Sequence, residues 1–173
     1  MFQHILIPLD GSTRSEAAIE HAVAIAQQFA GRITLLRAVQ LPDAENISAE
    51  NLDRIRDQQL GAARDYLEGW ASKINQRGVQ CQPIVVAGDP ARSILGYAHR
   101  SNVDLVVMNS HGAGGLSGYV FGSVADKVVR TASCPVLVLH VRPTEEELRE
   151  QEEREVAEMD ATLTAMLGRQ PRA

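Results

Sequence analysis

The chain has 173 residues, 45% apolar and 23% charged, with aromatics at only 4%, so one domain-sized core must be built from Val, Ile, Leu and Ala. The net charge of −5 lies in the last stretch: residues 1–142 carry 13 basic and 13 acidic side chains, residues 143–173 carry 4 and 9. A neutral body with an acidic tail argues against nonspecific nucleic-acid binding, which needs clustered Lys and Arg, and no run approaches the roughly 18 apolar residues of a membrane span.

Residues 3–8 are a short apolar run and predict the first strand. The run is too short for a signal sequence and lacks a basic flank, so a cytoplasmic location is expected. Helical spacing follows from Ser12 or Thr13 to about Ala30. Ala17, Ala18, His21, Ala22, Ile25 and Phe29 are expected on its inner face, with Ser12 as N-cap and Gly31 as the C-terminal stop. Residues 32–39 predict a second strand. A polar loop with Pro42 leads into a long helix over about 49–76, with Leu52, Ile55, Leu60, Ala63, Leu67, Trp70 and Ile74 as its apolar positions and Gly78 as its end.

Residues 81–87 predict the third strand. Asp89-Pro90 reads as an N-cap with proline at the first helical position, for a helix running to about Ser101. Residues 104–109 predict the fourth strand, 110–121 a glycine-rich loop, 123–132 a short helix and 135–141 a fifth strand. Apolar strands alternating with helices indicate an α/β fold: an open five-stranded parallel sheet with helices on both faces. The boundary falls near Pro143, giving domains at 1–142 and 143–173. The tail opens on the capping-box pattern Thr144-Glu-Glu-Glu147, and Val156, Met159, Leu163 and Met166 recur at helical spacing, which predicts a C-terminal helical extension.

The glycine-rich loop runs Asn109-Ser-His-Gly-Ala-Gly-Gly-Leu-Ser-Gly-Tyr-Val-Phe-Gly-Ser123. Gly112, Gly114, Gly115 and Gly118 let the backbone approach a ligand closely. Gly122 and Ser123 open a helix whose amide groups and dipole favour an anion. Ser110 to Ser123 contain no Lys or Arg. Bound phosphates would rest on backbone amides, the Ser123 hydroxyl and a divalent cation. There is no GxxxxGK[ST] and no GxGxxG after the first strand, so neither a P-loop nor a dinucleotide site is indicated. The competing reading is a surface loop whose glycines serve turns alone. Asp10, directly after the first strand, is a carboxylate able to accept from a ribose hydroxyl or an adenine amine, or to cap the following helix.

His4, His21, His99, His111 and His140 show no metal spacing, and no Ser-His-Asp or Cys-His set can be assembled. His111 is equally open to a phosphate contact or a structural role. Lys127 reads as a solvated helix residue. Cys81 and Cys134 lack CxxC or metal spacing and read as reduced, buried cysteines.

Taken in order, Ile5-Leu-Ile-Pro-Leu-Asp-Gly-Ser12, Gly88-Asp-Pro90, Asp104-Leu-Val-Val-Met108, Ser110-His-Gly112 through Gly122-Ser123 and Cys134-Pro-Val-Leu-Val138 resemble the universal stress protein (UspA-like) family over about 1–141. The resemblance implies a Rossmann-like, adenine nucleotide alpha hydrolase-like fold. The ATP-binding branch carries Gly, two residues, Gly, nine residues, then Gly-Ser or Gly-Thr; Gly112 and Gly122-Ser123 fit, and Asn109 replaces the first glycine. Asparagine tolerates positive φ better than most residues.

By the same resemblance, Pro8, Leu9, Asp10 and Ala38 lie around the adenosine. Asn109, Ser110, His111, Gly112, Ala113, Gly114 and Gly115, with Gly122, Ser123 and Val124, lie around the phosphates. The expected ligand is ATP, or another adenine nucleotide, with Mg²⁺ or Mn²⁺, and the expected function is nucleotide-responsive regulation in stress response. A homodimer through strand 136–141 and a protein partner are also expected. A nucleotide-free adaptor of the same fold and a slow ATPase are the alternatives.

Overall fold

The computed structural model describes residues 1–42, 48–110 and 121–140. Expectations that fall on 43–47, 111–120 and 141–173, including those for His111, Gly112, Ala113, Gly114, Gly115, Gly118 and the acidic tail, lie outside the described residues.

Among the described residues five strands and four helices alternate: β1 (His4–Pro8), α1 (Thr13–Phe29), β2 (Arg32–Val39), α2 (Ala49–Gln76), β3 (Cys81–Ala87), α3 (Pro90–Arg100), β4 (Leu105–Asn109), α4 (Ser123–Thr131) and β5 (Val136–Leu139). All pairings are parallel, in the order β3-β2-β1-β4-β5. The chain builds outward from β1 to β3, then returns to add β4 on the other side of β1. Parallel crossovers are right-handed, so this reversal puts later helices on the opposite face. Ile5, Ile7, Ile33 and Leu35 pack against Ala18, Ile19, Ala22 and Val23 of α1 and Leu67, Ala71 and Ile74 of α2. Leu6, Leu36, Val106 and Met108 pack against Ala91, Ile94 and Ala98 of α3 and Ala125 and Val128 of α4. Alternate strand residues thus feed two cores, as a two-sided sheet requires.

Two expectations for α1 are corrected. Its buried stripe is Ser15, Ala18, Ile19, Ala22, Val23 and Ala26; His21 is exposed and Ala17, Ile25 and Phe29 are half-buried. The sheet takes the stripe that carries Ile19 and Val23, which bury more apolar surface than Ala17 and His21. The left-handed C-cap is Ala30 (φ 51°, ψ 38°) rather than Gly31. Gly31 is needed for close approach instead: a Cβ there would lie 2.5 Å from the Phe2 carbonyl oxygen. In α2, burial is confined to the second half, at Ala63, Leu67, Ala71 and Ile74, whereas Leu52, Ile55 and Leu60 are half-buried.

Cys81 and Cys134 are free. They belong to opposite margins of the sheet, Cys81 in β3 and Cys134 just before β5, about four strand spacings of roughly 4.8 Å apart, far beyond disulfide reach. Burial pushes the Cys81 thiol up to about 12. No helix of the described residues is long and apolar enough to cross a membrane.

Candidate functional site

The reversal of strand order places a crevice at the carboxyl ends of β1 and β4. β1 stays paired with β2 up to Pro8↔Leu36, but its pairing with β4 stops at Leu6↔Val106. Pro8 explains the difference. The β2 side of β1 is served by odd residues, as the bond from the Leu9 amide to the Leu36 carbonyl shows; the β4 side is served by even ones, as at His4. Pro8 therefore has no N–H to offer β4, so the ladder that runs through Leu6 cannot continue past it. The two strands part there.

Asp10 stands on the β1 side, exposed. Its Oδ1 accepts from the Ser12 amide at 2.9 Å and the Ser12 hydroxyl at 2.6 Å. Ser12 is the α1 N-cap and accepts from the Ser15 amide at 3.2 Å. Asp10 thus orients the cap without being it, and Gly11 between them holds φ +90°, a conformation that favours glycine. Leu9 is buried in the α1/α2 core, so its backbone alone can serve a ligand.

Asn109 closes the β4 side. It is the last residue of β4, and the positive-φ residues other than glycine among those described are Phe2, Ala30 and Asn102. The expectation that asparagine is tolerated here for a left-handed backbone is therefore corrected. Its value lies in its carboxamide, which is buried, donates to the Arg14 carbonyl at 2.8 Å and accepts from the Ser110 amide at 2.9 Å. The Ser110 amide also donates to the Leu139 carbonyl, and the Ser110 carbonyl accepts from the Gly122 amide at 2.7 Å. The entrance and exit of the glycine-rich segment are thus joined directly. With the Gly122 amide engaged, the α4 donors suited to an anion are those of Ser123 and Val124. Ser123 is exposed, and the Val124 side chain packs on the α3/α4 core. Ala38 is half-buried near the carboxyl end of β2.

Two neighbours escaped the sequence reading. His140 meets Ser110, Nδ1 to Oγ at 3.0 Å. They are 30 residues apart in sequence, but the in-phase pairing Asn109↔Leu139 brings them side by side. Arg37, on β2, lays its guanidinium 5.0 Å above the Tyr66 ring. It also lies 3.0 Å from where a Cβ on Gly11 would stand. A charged residue inside the apolar run Ile33 to Val39 was the available signal. Tyr66 donates to Glu16 at 2.8 Å, and Trp70 donates to the same oxygen at 3.3 Å. Burial first, then the bond to Glu16, push the Tyr66 phenol well above its usual range, so it stays a neutral donor.

Among the described residues no three His, Cys, Asp or Glu are grouped to hold a metal ion. Asp10 and Ser123 are hard oxygen donors of the kind that contribute one or two ligands to a cation already carried by phosphates. A hollow of about 480 Å³ lies at the opposite, amino edge, near Gln27, Arg32, Gly78 and Val79.

Comparison with known proteins agrees with this frame. Residues 1–140 match the Universal stress protein family. Universal stress protein YxiE of Bacillus subtilis is 31% identical over 147 residues, 80% of this chain and 99% of its own. The solved structure of MJ0577 of Methanocaldococcus jannaschii superposes with a TM-score of 0.76 at 26% identity, covering 83% of this chain and 99% of that one. Two more distant proteins share the fold. One is a universal stress protein solved in complex with cAMP, at 24% identity and a TM-score of 0.61, covering 81% of this chain and 98% of that one. The other is from Arabidopsis thaliana with AMP bound, at 22% and 0.61, covering 83% and 97%. With the family's match spanning four-fifths of the sequence, and a five-stranded parallel sheet that superposes on its solved members, the chain belongs to the universal stress protein family.

Proposed function

We propose that this chain binds an adenine nucleotide in the crevice between β1 and β4 and acts as a nucleotide-responsive regulator in the stress response of the cytoplasm. The observation that carries the reading is the parting of β1 and β4 at Pro8, with Asp10 on one wall and the α4 amino end on the other. Two proteins of the same fold have been crystallised with cAMP and AMP. ATP is the expected ligand. Pro8, Asp10 and Ala38 would surround the adenosine, and Asn109 to Gly115 with Ser123 and Val124 the phosphates. Mg²⁺ or Mn²⁺ would arrive on the phosphates, with Asp10 and Ser123 as its nearest oxygen donors. Nucleotide binding would alter the surface presented by a homodimer joined along strand 136–141, and a protein partner would read that change.

Calorimetric titration with ATP, AMP and cAMP, with and without Mg²⁺, tests this directly. Saturable binding supports it, and no heat from any of the three at millimolar nucleotide overturns it. A nucleotide-free adaptor is the second reading. It is favoured by one observation, the Asn109 carboxamide standing where the ATP-binding motif has glycine. Mass spectrometry finding adenine nucleotide co-purified with the protein would end it.

A further inference from the structure

We infer that Asn75 and Pro83 close the β3 margin of the sheet to strand addition, so that pairing with another copy of this chain is left to β5. The inference is independent of the nucleotide reading. The order β3-β2-β1-β4-β5 leaves two margins, and an open margin is a template for a further strand. Main-chain groups alternate along β3. The Gln80 carbonyl accepts from the Ile33 amide, and the Gly88 amide donates to the Val39 carbonyl, so even residues face β2. Cys81, Pro83, Val85 and Ala87 therefore turn their main-chain groups outward.

The first two of these positions are closed. The Cys81 amide donates to Asn75 Oδ1 at 2.9 Å, and Asn75 Nδ2 donates to the Cys81 carbonyl at 3.2 Å. One carboxamide thus takes both groups that a neighbouring strand would use. Local structure puts it there. Ile74 is buried in the α1/α2 core, which anchors the last turn of α2 beside β3. Gly78 then reverses the chain at φ +79°, with its amide on the Asn75 carbonyl at 3.0 Å. Pro83, opposite Leu35, has no N–H to offer at the next outward position, and a sheet margin is where proline is admitted. A ladder confined to Val85 and Ala87 is shorter than the strands from which sheets are built. On β5 the outward positions are Val136 and Val138, each with an N–H and a carbonyl. Two open margins, each pairing with its own kind about a two-fold axis, would link copies into an unending ribbon. With β3 closed, growth through β5 ends at two copies.

The test is sedimentation velocity of the wild-type chain, Pro83→Val, Asn75→Ala and the double variant across a range of concentration, with amide hydrogen exchange read at residues 81–87. Valine restores an outward N–H in a residue suited to strands. Alanine frees the amide and carbonyl of Cys81. The double variant is expected to associate through this margin about tenfold or more tightly than the wild type. Its Cys81 and Val85 amides should gain protection as concentration rises. A dimeric wild type then gives species larger than two copies, and a monomeric one gives a new dimer. Either supports the closure, and the second removes the β5 dimer alone. A double variant that sediments as the wild type does, or that associates with exchange at 81–87 unchanged, overturns it. If the double variant melts early, Pro83→Val decides by the same two readouts.

Discussion

The side-chain amide of Asn109 donates to the main-chain carbonyl of Arg14 across 2.8 Å, tying the end of β4 to the first turn of α1. This bond spans the crevice that opens where β1 and β4 part. Asn109 is buried, and removing its amide deletes the bond to the Arg14 carbonyl and one of the two acceptors of the Ser110 amide. Asn109→Ala is expected to lower stability by about 1–2 kcal/mol. Asn109→Asp should cost more, about 3 kcal/mol, because it sets a buried charge against the Arg14 carbonyl. It should also weaken binding of any phosphorylated ligand. Urea midpoints of the three proteins check the order, and an Asp variant as stable as the Ala variant would refute it.

Two glycines should respond to alanine in opposite directions. Gly69 lies in the middle of α2, exposed, with nothing within 4 Å of where a Cβ would stand. Gly69→Ala removes backbone freedom from the unfolded chain and meets no obstacle, so stability should rise by about 0.5–1 kcal/mol. Gly31→Ala would drive a methyl group to 2.5 Å from the Phe2 carbonyl oxygen. Backbone must shift to admit it, and a loss of about 1–3 kcal/mol is expected. Thermal melts of the pair decide, and a stabilised Gly31→Ala would contradict the close approach described above.

His4 should make stability depend on pH. Its ring is buried at the start of β1, with Nε2 2.9 Å from the Thr34 hydroxyl. Nδ1 faces both the Ser101 carbonyl and the Arg32 guanidinium at 3.1 Å, and can donate to the first or accept from the second. Burial and the neighbouring Arg32 charge hold its pKa below 6.5; the Ser101 bond and Asp104 oppose them less strongly. The unfolded chain therefore binds the proton more readily than the native one. The stability that follows is complete above about pH 6.5 and is lost as pH falls through that value toward the native pKa. His4→Gln should flatten this part of the profile. Glu20, held low by Arg77, acts in a separate window below its ordinary 4.5. Urea midpoints from pH 8 to 5 test the claim, which fails if wild type and variant run parallel.

The order of elements was legible because each strand is an apolar run and each helix keeps its period, with Asp89-Pro90 and Gly78 marking ends by backbone chemistry alone. The placement of Asp10 and Asn109 at the carboxyl edge was legible because one directly follows the first apolar run and the other ends the fourth. The helix stop at Gly31 misled, since a glycine after a helix signals positive φ whether it serves that need or a close approach to Phe2. Arg37 and the Ser110–His140 pair were hidden for another reason. The Ser110–His140 pair depends on the register of β4 against β5, and the Arg37 stack on where α2 packs over β2; local periodicity carries neither.

The β5 edge offers a test of assembly that spares the sheet. The Val106 amide donates to the Pro135 carbonyl and the Ser110 amide to Leu139, so residues 135, 137 and 139 face β4. The main-chain groups of Val136 and Val138 then point away from β4, along the edge where a second copy would pair. Val138→Pro deletes one outward N–H and leaves the β4–β5 ladder intact, which is the position at which a strand tolerates proline. If two copies join along 136–141, this variant should sediment as a monomer, or dissociate at a concentration about tenfold or more above the wild type's. Its circular dichroism and melting under monomer conditions should stay close to the original. An unchanged dimer would place the contact elsewhere on the molecule, and a monomeric wild type would remove the dimer from the proposed regulation altogether.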